Sequence, residues 1–497
     1  MGQSRQSPLN LNSLLAAVEA APPVAAVDVL AAALAEAIGA REVSFLIADF
    51  SGRSLIRLGH SGAEGAPRLP GEETAERVPL AGTPHGRALA AQAVEVIAED
   101  RGARLFAPVT SRGEAVGVLE LELENFPAEQ TVADVALAGH FLAYVVIANR
   151  RYTDLFEWGQ RSVPLSLAAE IQHRLLPGAF TCEAGQFTLA AWLQPAGEVG
   201  GDTFDFSLER NTLHVSMTDA MGHTMDAALL ATVLVGALRN ARRRGVELAE
   251  QARLADDALA EQAGESQFVT GLLVRIDLAR ATARIVNAGH PPPLRLRAGQ
   301  VERVHLEADR PFGVQEGGGY RVQALHLEVG DRLMFVTDGM LEREAVDVNI
   351  AAILAEGADM HPREAVQHLT HAVLQASGGR LRDDATALCL DWHGGPPRDR
   401  DATSGANREG RADPGTEPAR SSPPAFGYPT RSTTCAPGRS SPRSRSATSS
   451  AAGWPSRAAS TWAEKTRPTA TTRPSVGAEE IEAMVATYIQ DSLRPTR

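Results

Sequence analysis

Four short acidic stretches, each standing where a strand pattern ends or begins, constrain this chain more than any other feature. They are Gly200-Gly201-Asp202, Asp219-Ala220-Met221-Gly222-His223, Thr337-Asp338-Gly339 and Asp383-Asp384-Ala385-Thr386. An alternating segment at 212–217 runs into Asp219, and an Ala/Leu-rich segment of helical spacing at 225–243 leaves that turn. Leu333-Met334-Phe335-Val336 runs into Asp338, and Asp383-Asp384 precedes an apolar strand at 385–392. Taken singly, an Asp-Gly pair is an ordinary turn. Taken together, strand-end carboxylates can gather on one edge of a layered sheet. So much negative charge in one place is strongly unfavourable without cations. An all-oxygen set lacking Cys or a His pair suits Mg²⁺ or Mn²⁺ rather than Zn²⁺. The expectation is a single hard-cation site.

The segments around these stretches predict the scaffold. Short strands are expected at 187–193, 203–208, 212–218, 268–276, 282–288, 293–297, 301–305, 322–327, 332–336 and 385–392, with helices at 225–243, 247–263, 348–355 and 362–376. Many antiparallel strands with two helix pairs predict two packed sheets covered by helices, an α/β/β/α sandwich over 178–393. Residues 24–150 read as a separate α+β unit. Its pattern is a helix at 24–38 stopped by Gly39, strands at 43–48 and 54–58, a loop at 60–78, a short helix at 86–91, strands at 104–109 and 115–123, and a helix at 131–150. Residues 1–23 form an N-terminal arm with one amphipathic stretch.

Residues 151–177 are a linker in which Leu155, Trp158, Val163, Leu167, Ile171 and Leu175 form an apolar stripe interrupted by Pro164. A clean helix at 167–176 ends at Pro177-Gly178. Such a helix can carry a signal by changing its packing; the alternative is a plain linker packed on the next domain. Residues 394–497 are rich in Pro, Ser, Thr, Arg, Gly and Ala, and are predicted to be a disordered low-complexity tail, with an isolated helix at 478–493. A natural flexible tail and the product of a shifted reading frame are both compatible with that composition.

Composition excludes several function classes. A formal net charge of −13 argues against an unspecific nucleic-acid binder. Cys182, Cys389 and Cys435 are too widely spaced for a zinc site or a disulfide framework. The first ten residues lack a charged-then-apolar signal pattern. No run reaches the roughly 18–20 consecutive apolar residues of a membrane span, and the most apolar one, 132–148, carries Asp134 and His140. A cytoplasmic protein without a membrane span is expected.

In this order, Gly200-Gly201-Asp202 with Asp205, Asp219-Ala220-Met221-Gly222-His223, Phe268-Val269-Thr270, Asn287-Ala288-Gly289-His290-Pro291-Pro292, Pro311-Phe312-Gly313, Gly330-Asp331, Thr337-Asp338-Gly339 with Glu342, and Asp383-Asp384-Ala385-Thr386 resemble one family. It is the SpoIIE/RsbU-like branch of the metal-dependent (PPM, type-2C) protein serine/threonine phosphatases. Residues 170–177 also look like the helix that leads into that domain. The resemblance implies two Mn²⁺ or Mg²⁺ ions. Asp219 would bridge them, the Ala220 carbonyl would bind one, and Asp338 and Asp383 would hold the other. Asp202 would bind directly or through water, and Asp384 would be an outer ligand. The ions would activate a water for in-line attack on phosphorus.

The implied substrate is a phosphorylated protein, a STAS-type anti-sigma-factor antagonist, in bacterial partner switching. A linker helix of this kind suggests a homodimer. The sequence departs from the family at Thr224, where Gly is usual, and at Thr203, where an aromatic is usual. The competing reading is a pseudophosphatase that keeps the fold and binds a partner. Residues 24–150 resemble a GAF domain on Leu105-Phe106-Ala107-Pro108-Val109 and Gly117-Val118-Leu119-Glu120-Leu121. This implies a sensor for a small-molecule or protein signal; a dimerisation domain without a ligand is the alternative. His60, His85 and His140 stand alone, outside any cofactor constellation.

Overall fold

The computed structural model describes residues 9–50, 52–61, 76–161, 165–195, 200–222, 225–264, 267–314, 319–341, 348–378, 381, 383–395 and 405. The expectations for Val163, Pro164, His223, Thr224, Glu342 and the tail beyond 395 (Gly405 apart) concern residues outside that set.

The N-terminal unit begins with α1 (Leu11–Ala20) and α2 (Ala26–Ile38). The side chain of Asn10 accepts the amides of Asn12 and Ser13 and caps α1, while Gly39 closes α2 in the left-handed conformation. There follow β1 (Ala40–Ala48), β2 (Ser54–Ser61), β3 (Arg77–Pro79), α3 (Pro84–Ala91), β4 (Glu95–Glu99), β5 (Gly102–Ser111), β6 (Glu114–Leu123) and α4 (Glu129–Asn149). The strands form one antiparallel sheet in the order β3-β2-β1-β6-β5-β4. Side chains alternate across it. Phe45, Ile47, Leu105 and Leu119 meet α1, α2 and α4 on one face, whereas Leu46, Leu55, Phe106 and Val118 meet α3 on the other. Leu14 and Val18 of α1 join the first of these cores. Helix α4 is long and apolar enough to cross a bilayer by length and composition. Its Val135, Ala138, Leu142 and Val146 are instead buried against the sheet.

The linker forms α5 (Leu155–Gln160) and α6 (Leu167–Leu175). Here the structure corrects the expected stripe. Leu167 and Trp158 are exposed, and the buried positions are Phe156, Gly159, Ala168, Ala169 and Gln172. The reason is distance of approach. The Ala168 carbonyl lies 2.7 Å from where a Cβ on Gly200 would stand, so the docking face of α6 must be small-sided.

The C-terminal unit contains β7 (Thr181–Glu183), β8 (Phe187–Gln194), β9 (Asp202–Leu208), β10 (Thr212–Ala220), α7 (Met225–Arg243), α8 (Leu248–Ala260), β11 (Val269–Asp277), β12 (Thr282–Ala288), β13 (Leu294–Arg297), β14 (Gln300–Arg303), β15 (Gln323–His326), β16 (Arg332–Val336), α9 (Ile350–Glu356), α10 (Pro362–Ala376) and β17 (Ala385–Trp392). One sheet runs β15-β12-β11-β10-β9 and the other β14-β13-β16-β17-β8-β7. Phe204, Met217, Leu272, Ile285, Phe335, Leu388 and Trp392 fill the space between them. Leu234, Leu238, Ala252 and Leu259 of α7 and α8 cover the outer face of the first sheet, and Leu354, Val366 and Leu369 of α9 and α10 cover that of the second. This is the four-layer α/β/β/α arrangement expected from the strand and helix pattern.

Two ion pairs pin layers together. Arg332 and Asp391 stand opposite each other on β16 and β17 and form a two-pronged pair at 2.6 and 2.8 Å, while the same guanidinium donates to the carbonyls of Gly357 and Met360 beyond α9. Asp205 on β9 accepts from Arg239 and Arg242 of α7. Arg242, at the C-terminal end of α7, is thereby anchored to β9. Removing one member of a buried pair strands the other charge. Asp391→Ala is expected to lower the unfolding free energy by about 3–5 kcal/mol, and Arg332→Met/Asp391→Leu by clearly less. Urea unfolding of the two variants checks this order.

Candidate metal centre

Asp202 opens β9 and Asp219 lies one residue before the end of β10. The two face each other across the antiparallel ladder. Strand β10 extends through Ala220, so Asp219 belongs to the strand rather than to the turn after it. Ala220 is buried, and its amide donates to the Gly201 carbonyl at 3.3 Å. The other sheet contributes Asp338, two residues beyond the end of β16, and Asp383 and Asp384, immediately before β17. These two strand ends are tied by the Thr337 amide, which donates to the Thr386 carbonyl at 3.1 Å. They also pass very close together. A Cβ on Gly339 would lie 2.0 Å from the Asp384 carbonyl oxygen, so only glycine fits after Asp338.

The sheets meet at Asp202. Its Oδ2 accepts from Thr337 Oγ1 at 2.7 Å and from Thr386 Oγ1 at 2.5 Å, both from the opposite sheet. Gln172 of α6 reaches into the same place, and its Nε2 donates to the Asp202 carbonyl at 2.8 Å and to the Asp384 carboxylate. Asp202 is 2% exposed and Asp384 1%. Burial, followed by the neighbouring charges of Asp219 and Asp384, pushes the Asp202 carboxyl well above the ordinary carboxylate range. Burial, then Asp338 and Asp383, does the same to Asp219, which also shares a hydrogen bond with Asp338. A hydrogen bond between two carboxyls requires that one of them carry a proton.

Asp202 thus lies within electrostatic reach of Asp219 and Asp384, and Asp219 within reach of Asp338, Asp383 and Asp384. The strongest charges felt by Asp202 and Asp219 are other carboxylates, and the donor set is all oxygen. That chemistry fits a hard divalent cation. The set converges without being closed: among the described residues, no group of three or more His, Cys, Asp or Glu side chains is already arranged to hold an ion.

Other motif residues have structural work. Asp205 belongs to the Arg239/Arg242 pair, and Asp331 is held by Arg297 at 2.6 Å. Asn287 Oδ1 accepts the His290 amide at 2.8 Å, and His290 Nδ1 meets Thr270 Oγ1 at 2.9 Å, beside the strand pair that carries Asp219. Burial pushes His290 down to about 3, so it stays neutral. His85 contacts Glu120 and His140 contacts the Thr110 carbonyl, both inside the N-terminal unit. Thr203, the departure from an aromatic, is buried and bonds Thr218 at 2.6 Å. Sequence reasoning assigned no role to Gln172, Thr337 or Thr386. Their signal was a polar side chain on the small-sided face of α6, a Thr just before Asp338 and a Thr two residues after Asp384.

A carboxyl whose folded pKa is raised binds a proton in the folded state that the unfolded chain has released. Stability is therefore lost as pH rises from the ordinary carboxylate range through the raised values. In chelator, the melting temperature of the protein is expected to fall as pH rises above the ordinary carboxylate range. Asp219→Asn should flatten that slope, and Mn²⁺ should reverse it in the unsubstituted protein. Calorimetric scans with and without metal check all three.

Comparison with known proteins finds relatives of the C-terminal unit. Residues 209–393 match the family model described as Stage II sporulation protein E (SpoIIE). The chain is 21% identical over 232 residues to phosphoserine phosphatase RsbU of Bacillus subtilis, covering 46% of this chain and 69% of that protein. It is 23% identical over 237 residues to phosphoserine phosphatase RsbP of Bacillus subtilis, covering 46% and 57%. Among solved structures, the RsbU and RsbW domains of Rv1364c from Mycobacterium tuberculosis are 26% identical with a TM-score of 0.38, covering 45% of this chain and 64% of that one. The C-terminal unit is therefore similar to the SpoIIE family over residues 209–393, a span that contains Asp219, Asp338, Asp383 and Asp384 but begins after Asp202.

Proposed function

We propose that residues 178–393 are a metal-dependent protein phosphatase domain that hydrolyses phosphoserine or phosphothreonine on a partner protein. The single observation that carries this reading is the convergence of Asp202, Asp219, Asp338, Asp383 and Asp384 from two sheets onto one edge. Asp219, Asp338 and Asp383 would hold two Mn²⁺ or Mg²⁺ ions, with the Ala220 carbonyl, Asp202 and Asp384 completing the set. Bound there, the ions supply Lewis acidity toward phosphoryl oxygens and an activated water. The chain's own contribution is orientation. Thr337 and Thr386 fix the Asp202 carboxylate, and Gln172 fixes that of Asp384. No side-chain nucleophile is needed, and neutral His290 acts as a buttress.

The similarity to the phosphoserine phosphatases RsbU and RsbP supports phosphoserine as the substrate group, and the family resemblance implies a STAS-type anti-sigma-factor antagonist as the protein that carries it. The N-terminal unit is proposed to be a GAF-like sensor. Its signal would reach the edge through α6, which packs on Gly200 and carries Gln172. Exposed Tyr144, Ile147, Tyr152, Trp158 and Leu167 on and between α4, α5 and α6 support self-association as a dimer. The second reading is a partner-binding pseudophosphatase.

Hydrolysis of a phosphoserine peptide by the full chain in Mn²⁺ separates the two. Turnover that is abolished by chelator and lowered by about a hundredfold or more in Asp219→Asn is expected. Partner binding without turnover in the unsubstituted protein would establish the second reading. Gln172→Leu is expected to weaken metal affinity or activity by about 10- to 100-fold, as loss of an outer support does. A Mn²⁺ titration of initial rates measures that effect.

A further inference from the structure

A cavity of about 990 Å³ lies between the N-terminal unit, α6 and the C-terminal unit, away from the carboxylate edge. The walls are held together by direct contacts. Phe180 N donates to Glu114 Oε2 at 3.1 Å, Glu183 N to the Arg112 carbonyl at 3.1 Å, and Arg363 to the Leu89 carbonyl at 2.6 Å. Much of the lining is apolar, including Leu80, Ile147, Leu176, Phe180, Trp192 and Phe206. The charged side chains of the lining include Glu114, Arg150 and Arg363. A cavity of this size, apolar with a few convergent polar groups, has the character of a small-molecule site.

The charges do not balance. Glu114 is the shared carboxylate of both arginines. Burial raises the Glu114 carboxyl and lowers both guanidiniums, the mark of charges short of compensation. Arg150 and Arg363 each keep a buried Nε without a hydrogen-bond acceptor. Of the other carboxylates nearby, Glu183 meets His361 Nε2 at 3.1 Å, and Asp49 accepts the amides of Arg53 and Ser54. Glu157 is gripped by Arg174 at 2.7 and 2.6 Å, and Glu364 reaches Arg363 only at 3.5 Å from a side chain 30% exposed. His173 on the wall is pushed down to about 4, chiefly by burial, and adds no charge near neutral pH.

We propose that this inter-domain cavity binds a small amphipathic anion, whose carboxylate or phosphate head pairs with Arg150 and Arg363 and whose apolar body lies against Phe180, Trp192 and Phe206. The head supplies the acceptors that the two guanidiniums lack, in a charge-assisted contact. The site lies at the joint between the units rather than inside the N-terminal sheet. Its occupant touches both units and α6 at once.

The test uses the full chain and two fluorescent probes of similar body, anionic 8-anilinonaphthalene-1-sulfonate and neutral N-phenyl-1-naphthylamine. Arg150→Met and Arg363→Met remove the head contacts, and Ala179→Trp fills the cavity without touching a charge. Each is first verified as folded by circular dichroism and a cooperative thermal transition. If Arg363→Met does not fold, Arg150→Met decides alone. Expected is one saturable site for the anionic probe, weakened about tenfold or more by loss of either arginine. Binding of the neutral probe should not change in those variants, and both probes should be lost in Ala179→Trp. Displacement of the anionic probe by laurate identifies a carboxylate head, and displacement by dodecyl phosphate alone a phosphate head. Unchanged affinity in folded arginine variants, retention of the probe in Ala179→Trp, or displacement by neither amphiphile overturns the proposal.

Discussion

Mutual repulsion among five carboxylates, held together against it by the rest of the domain, is the constraint on which this structure turns. Asp202 and Asp219 face each other on one sheet, and Asp338, Asp383 and Asp384 arrive from the other. Left to themselves, such charges would separate or be neutralised by protons. What prevents separation is a set of neutral donors. Thr337 and Thr386 cross from one sheet to grip Asp202, and Gln172 arrives from α6 to grip both Asp202 and Asp384. The deeper pairs, Arg332 with Asp391 and Asp205 with Arg239 and Arg242, fix the strands and helices behind the edge. The acidic edge is thus a strained feature that a rigid scaffold sustains. Strain of that kind is expected where function requires it.

Much of this was legible in the residues. The ladders of the C-terminal unit alternate so regularly that their strands could be placed within a few residues, and the five carboxylates were identifiable from their positions at strand ends. Less legible were β3, β4 and β7. Each is an edge strand, and β3 and β4 bury no residue fully, so alternation left little trace in them. The linker misled for a different reason. Its large apolar residues suggested the buried face, yet close backbone approach at Gly200 selects Ala168 and Ala169 for contact and turns Leu167 outward. Gln172 was hidden by the same logic, because one polar residue on a short helix has no periodicity to mark it.

The motif residues also divide in a way that spacing alone does not reveal. Asp205 and Asp331 stand in the same run of motifs as the edge carboxylates, but each is paired with arginine and serves the scaffold. The difference lies in what surrounds them. An aspartate facing guanidinium is a structural ion pair, whereas Asp202 and Asp219 face other aspartates. The joint between the units shows the opposite imbalance, with buried guanidiniums short of carboxylate. Each site therefore asks for a partner of opposite sign, and α6 touches both.

Anomalous diffraction at the manganese edge, from crystals of the full chain grown with Mn²⁺, tests the central claim most directly. The account predicts density in contact with the carboxylates of Asp219 and Asp338, with Asp202 and Asp384 close by. Manganese bound only elsewhere, or an edge whose aspartates remain hydrogen-bonded to one another in saturating Mn²⁺, would contradict it.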